Sequence, residues 1–144
     1  MHPSIHARQS PDKVAYRMVG GGQAVSYAEL EAGSNRLAHF FRQSGLRVGD
    51  RIALMLENHP RYFEICWAAQ RAGIVYTAIS SRLTAGEAAY IVNDCGARLF
   101  ITSKAMSALA AELVEHTPGV RERLMLDGVI PEYKSYEEIG RAHV

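Results

Sequence analysis

The 144-residue chain has two cysteines, one tryptophan and no excess of either charge, since 16 basic and 15 acidic residues leave a formal +1. Each shortage excludes something. A charge near zero cannot supply the broad basic field on which nucleic-acid binding relies, so nucleic acid is not expected as a partner. No apolar run reaches the ~20 residues that span a bilayer, and the opening Met1-His2-Pro3-Ser4-Ile5-His6 lacks the charged-then-apolar layout of a signal peptide. No transmembrane segment is expected, and the chain reads as cytoplasmic. Cys66 and Cys95 lie far apart, form no C-x-x-C pair and fall inside apolar helical patterns, which predicts two buried thiols. The six histidines show no ligand spacing such as H-E-x-x-H, so no metal site is expected. Also missing are the G-x-S-x-G elbow, G-x-G-x-x-G and G-x-x-x-x-G-K-[ST]. What is present, 48% hydrophobic and 22% charged residues, is the composition of an ordinary globular domain.

The pattern opens with an antiparallel hairpin, Val14–Val19 and Gln23–Ser26, joined by Gly20-Gly21-Gly22. Phosphate-cradling glycines must sit between a strand and a helix N-terminus, whereas these separate two strand-like runs, so they predict a turn. Strands and helices then alternate. Ser26 with Glu29 is a capping box that opens a helix ending near Gly45, with Leu30, Ser34, Leu37 and Phe41 on its inner stripe. Strand Arg51–Glu57 has a continuous apolar centre suited to burial on both faces. Asn58-His59-Pro60 begins a second helix that is apolar nearly all round until Gly73, as a buried helix would be. Strand Ile74–Ile79 leads to a second capping box at Thr84 and Glu87, whose helix carries Ala88, Ile91, Val92 and Cys95. Strand Arg98–Thr102, a helix with Met106, Leu109, Ala110 and Leu113, and strand Arg123–Leu126 complete the pattern. The fold class is therefore α/β: a largely parallel sheet covered by helices on both faces, preceded by a short antiparallel hairpin. Ligands of such sheets sit beyond the carboxyl ends of the strands, here Glu57-Asn58, Ser80-Ser81, Thr102-Ser103 and Asp127. Caps and turns account for these polar residues, and none forms a catalytic set.

The wording of the chain goes further. Val25-Ser26-Tyr27-Ala28-Glu29-Leu30, continuing through Ser34-Asn35-Arg36-Leu37-Ala38, resembles the first core motif of the acyl-adenylate-forming (AMP-binding) enzymes. That superfamily holds acyl-CoA synthetases, luciferase-like enzymes and the adenylation domains of nonribosomal peptide synthetases. Pro11-Asp12-Lys13-Val14-Ala15 is similar to its N-terminal entry, and Gly49-Asp50-Arg51-Ile52-Ala53 with Glu57-Asn58 to its next strand and turn. Ala68-Ala69-Gln70-Arg71-Ala72-Gly73-Ile74-Val75-Tyr76 is similar to its second core motif. Arg82-Leu83-Thr84 through Glu87, with Tyr90-Ile91-Val92-Asn93-Asp94-Cys95-Gly96-Ala97, resembles the acyl-CoA synthetase version. The resemblance covers residues 10 to 138. One departure falls after Tyr76, where Ala78 and Ser80 stand in place of a common proline and asparagine, and it removes any signal for the acyl group.

The resemblance implies a two-step ligase in which a carboxylic acid, fatty or otherwise acyl, first takes AMP from Mg-ATP and then passes to the thiol of CoA. Carboxylate oxygen is a poor leaving group; the adenylate makes it a good one. The family's phosphate loop, ribose-holding acid and mobile lysine lie downstream of these motifs. Catalytic, cofactor-binding and metal residues are accordingly assigned as none in this chain, and ATP, Mg and CoA are implied for the full-length parent only. Residues 1–138 are expected to be the N-terminal portion of the large domain. Residues 139–144 (Ile139-Gly140-Arg141-Ala142-His143-Val144) depart from the family pattern, and their back-translation permits a common sequencing-adapter sequence. They are expected to be a non-native tail, with the rest of its own chain as the first partner. The all-apolar helix and the parallel strands need neighbours on every side, so the isolated chain is expected to expose a strand edge and self-associate. The alternatives are an adenylation domain serving a carrier protein and a stand-alone, non-catalytic interaction module.

Overall fold

A computed structural model describes residues 2–139 of the chain. A short helix α1 (Pro3–Gln9) precedes a hairpin of β1 (Val14–Arg17) and β2 (Ala24–Ser26). Alternation then follows: α2 (Tyr27–Gln43), β3 (Arg51–Met55), α3 (Tyr62–Ala72), β4 (Val75–Ala78), α4 (Ala85–Asp94), β5 (Leu99–Ser103), α5 (Ser107–His116), β6 (Glu122–Leu126) and β7 (Lys134–Ser135). Two single 3-10 turns, Lys104–Met106 and Tyr136–Glu138, precede α5 and follow β7.

Local chemistry sets the helix starts. The Ser26 hydroxyl accepts the Glu29 N–H while the Glu29 carboxylate accepts the Ser26 N–H, and Thr84 with Glu87 repeats the exchange for α4. Helix α3 stops where Gly73 turns left-handed at φ 73°, a conformation that leaves two helix carbonyls bound by its N–H.

Strands β1 and β2 pair antiparallel, and the five remaining strands pair in parallel in the order β4-β3-β5-β6-β7. Right-handed crossovers in that order send α3 to one face and α4 and α5 to the other. Two cores result. Leu37 and Phe41 of α2, Ile65 and Ala68 of α3, and Ile52, Leu54, Leu99 and Ile101 of the sheet fill one. Ala53, Met55 and Phe100 meet Ala88 and Val92 of α4 and Leu113 of α5 in the other. The apolar centres of β3 and β5 are thus buried on both faces, as parallel pairing requires. The α/β reading and the hairpin stand.

Several expectations need correction. Helix α3 begins at Tyr62 rather than at Asn58-His59-Pro60, because the first of those residues are held in a turn by side-chain bonds described below. Nor is α3 buried all round: Glu64, Ile65, Ala68 and Ala69 face inward, while Phe63 is 52% exposed. The outer face is covered only in part, by Tyr16 against Phe63 (ring centroids 4.9 Å apart) and His2 against Trp67 (4.8 Å). The two thiols, expected to be buried, are half-buried, Cys66 on α3 and Cys95 at the end of α4, and both are free. Helix α1 and strand β7 had no counterpart in the sequence pattern. At the edge of the sheet β4 leaves Val75 51% and Tyr76 41% exposed.

A buried polar cluster joins α2, α3 and the last turn. The Tyr136 hydroxyl donates to Glu64 Oε2 at 2.6 Å, and Arg61 Nη1 donates to the same oxygen at 3.2 Å. Gly33 of α2 faces that carboxylate, and a β-carbon there would collide with it. Arg71 and Glu31 form a second α3–α2 ion pair. Of the tail expected to be non-native, Ile139 is buried beside Tyr136 in the first core, and residues 140–144 lie outside the described residues. Among the described residues no helix is long and apolar enough to cross a membrane.

Candidate functional site

The chain leaves β3 in one direction to form β4 and then returns across β3 to form β5, so the strand order reverses between β3 and β5. Connections leaving these neighbours go to opposite faces, which opens a crevice beyond their carboxyl ends. Two of the residues placed at those ends by sequence meet: Ser103, itself fully buried, donates through Oγ to Glu57 Oε1 at 2.7 Å. Thr102, fully buried, donates instead to the Met55 carbonyl at 2.8 Å and locks β5 to β3.

Asp127 finds a partner that sequence reasoning did not supply. His59 Nε2 lies 2.8 Å from Asp127 Oδ2, and His59 Nδ1 accepts the Arg61 N–H at 3.1 Å. With Nδ1 accepting, the ring proton sits on Nε2 and is donated to the carboxylate. Asp127 itself takes φ 68° and donates its N–H to Glu137 Oε2 at 2.9 Å. His59 is therefore a strut between the entry of α3 and the end of β6, with both nitrogens engaged. Its partner is 68 residues away, so no local pattern could have announced it.

Asn58, Ser80 and Ser81 come together differently, on the rim of a cavity of about 670 Å³ between the carboxyl end of the sheet and the hairpin. Leu56, Tyr62, Phe63 and Ile79 give it apolar walls, and among the described residues Arg17 from β1 is its one cation. The Arg17 guanidinium donates to the Gly22 carbonyl at 3.1 Å, and the Ser80 hydroxyl accepts the Arg82 N–H at 3.3 Å, a turn role. Such a cavity suits an apolar body with a polar or anionic end. Among the described residues no hydrogen-bonded nucleophile and base line it. Nearby Cys66 makes a poor nucleophile, because burial pushes its thiol above the ordinary value.

Two of the groups implied by the sequence resemblance, a nucleotide phosphate and a metal ion, find no cradle at the hairpin glycines or in a side-chain cluster among the described residues. Gly20 and Gly22 take φ 86° and 70° in an open hairpin turn, not at a helix N-terminus, so they offer nothing to a nucleotide phosphate. Among the described residues no group of three or more His, Cys, Asp or Glu side chains could hold a metal ion. Neither the hairpin glycines nor any cluster of metal-ligating side chains among the described residues fits ATP or Mg.

The family model for AMP-binding enzymes matches residues 4–142. The chain belongs to the AMP-binding enzyme family. A feruloyl-CoA synthase of Amycolatopsis sp is 38% identical to this AMP-binding chain over 120 residues, 81% of the chain but 24% of that protein. A fatty acid–acyl-carrier-protein ligase of Streptomyces coeruleorubidus is 35% identical over 96 residues, 67% of the chain and 18% of its own length. Acetoacetyl-CoA synthetase from Streptomyces lividans shares the fold at a TM-score of 0.88, with 21% identity, over 98% of this chain and 24% of its own. This chain thus spans about a quarter or less of the length of the relatives it matches.

Proposed function

We propose that the chain is the N-terminal portion of the large domain of an ATP-dependent carboxylate–CoA ligase. The observation that carries this reading is the family match over residues 4–142 combined with a feruloyl-CoA synthase as relative. In the parent enzyme the acid would be activated by Mg-ATP as an acyl adenylate and then transferred to CoA. Residues 1–138 would supply scaffold and one wall of the substrate cleft, with none of the catalytic, nucleotide-contacting or metal-holding groups. A small-molecule carboxylic acid, the rest of the same polypeptide and a cytoplasmic location complete the reading.

A carrier-protein thiol is the second acceptor to consider, and the acyl-carrier-protein ligase relative favours it. One experiment separates the cases. The parent, recovered from its genomic locus, is assayed for acid-dependent ATP–pyrophosphate exchange and then offered CoA or a phosphopantetheinylated carrier protein. Exchange followed by CoA thioester is the expected result; thioester on the carrier alone gives the second reading, and an open frame without exchange ends both. An in-frame stop after residue 138 would favour the stand-alone module. The codons of residues 139–144 test the adapter origin of the tail, because any codons other than the adapter's overturn it.

A further inference from the structure

The amino end of the sheet, opposite the cleft, carries an arrangement that neither the fold nor the ligase reading uses. Arg51 opens β3, and Arg98 and Arg121 immediately precede β5 and β6, the next two strands of the sheet. The Arg98 N–H donates to the Arg51 carbonyl at 2.8 Å and the Arg121 N–H to the Arg98 carbonyl at 2.7 Å, which fixes the row. Neighbouring strands lie about 4.8 Å apart, so the backbone positions of the three arginines span about 10 Å. All three side chains are exposed, and among the described residues none of them forms an ion pair.

The carboxylates nearby are turned elsewhere. Asp50 accepts the Arg47 N–H at 2.8 Å, Glu122 pairs with Lys134 at 2.9 Å, and Asp94 at the end of α4 makes no ion pair with the row. Helices α2 to α5 end at this edge, and their partial negative charge makes basic residues tolerable there. It does not call for three of them side by side, since like charges on facing rungs repel. Beside the row, the turn Arg47–Asp50 holds up Val48, 82% exposed, next to Arg47, which is exposed too.

We propose that this edge docks on an anionic lipid surface, with Arg51, Arg98 and Arg121 against the headgroups and Val48 entering the interface. Charge complementarity selects an anionic partner, and the single apolar tip flanked by arginines selects a bilayer over a protein. The overall charge of +1 gives little long-range attraction, so contact depends on this local row and weakens with salt.

Flotation of the 144-residue chain with vesicles tests the assignment and separates bound protein, which rises, from aggregated protein, which sinks. Vesicles of phosphatidylcholine with phosphatidylserine should carry the chain up at low salt, pure phosphatidylcholine should not, and high salt should release it. Each arginine replaced by glutamine should weaken partition about fivefold, and the triple variant Arg51→Gln, Arg98→Gln, Arg121→Gln about a hundredfold. A control removing Arg8, Arg36 and Arg82 should float nearly as wild type. The triple variant should melt no lower than wild type, because it relieves repulsion. Flotation with neutral vesicles, equal loss in the control, or a destabilised triple variant would overturn the proposal. Absence of flotation with row-dependent retention on immobilised polyglutamate would give the edge to an acidic protein instead.

Discussion

Gly33 shows how one missing side chain can be dictated by a charge on another helix. Its α-hydrogen leaves room for the Glu64 carboxylate, which is buried and bound by Tyr136 and Arg61. Gly33→Ala should displace that carboxylate and lower unfolding stability in urea by about 1–3 kcal/mol, as overpacking does. Tyr136→Phe keeps the shape but removes the donor, leaving Glu64 with Arg61 alone, and should cost about 1–3 kcal/mol. Equal stability of Tyr136→Phe and wild type would remove the cluster from the list of fold-holding contacts. Tyr133 makes a prediction in pH. Its hydroxyl donates to the Ala110 carbonyl at 2.9 Å, and burial pushes the phenol up to about 12. Tyr16, whose hydroxyl donates to the Pro60 carbonyl, is likewise pushed up to about 12, chiefly by burial. A raised phenol pKa favours the neutral folded form, so this stability is fully present below the unfolded value near 10 and is lost as pH rises toward about 12. Tyr133→Phe should cost about 1 kcal/mol at neutral pH and make the alkaline decline shallower, read from urea midpoints between pH 9 and 12.

At the scale of elements, the capped helices were the most legible. Ser26 with Glu29 and Thr84 with Glu87 announce their starts because a capping box is made from residues three apart. These boxes also predict an acid response. Backbone and hydroxyl hydrogen bonds at Ser26 and Thr84 hold the Glu29 and Glu87 carboxyls below the usual range. Their contribution is present above the ordinary carboxylate pKa and lost as pH falls through the depressed one. Glu29→Gln with Glu87→Gln should therefore flatten the acid limb of the helical circular dichroism signal. An unchanged limb would place the acid sensitivity elsewhere. Helix α3 was less legible, since hydrophobicity alone does not say what covers a face. On its outer face only the hairpin and the cap of α1 reach it, by single ring contacts to Phe63 and Trp67, so part of the helix stays exposed. Helix α1, seven residues opened by the His2 ring accepting the Ser4 N–H, is too short for a periodic signal. Strand β7 has two residues and is invisible for the same reason.

For the whole molecule, alternation of strand and helix sufficed to read a parallel, doubly covered sheet, and the reversal between β3 and β5 could be known only from pairing. The candidate site was legible as a set of strand ends and not as a geometry. Glu57 meets Ser103, and Asp127 meets His59, through contacts 46 and 68 residues apart in sequence. The exposed edge of β4 leads to the last prediction: the chain should self-associate with concentration, and Val75→Lys should reduce this in sedimentation velocity by charging an unpaired strand. A wild-type chain that stays monomeric at high concentration would show that the edge is guarded some other way. The strand order also bears on synthesis. Of the five parallel strands β3 leaves the ribosome first, yet it is an inner strand, and its two neighbours are made later, on either side. A nascent chain halted near residue 98 holds only a two-stranded parallel ribbon, with half of β3's hydrogen-bonding groups facing nothing. Emergence of Leu99–Ser103 is the step that turns this ribbon into a sheet, and until then the apolar centre of β3 is a natural place for a chaperone to hold.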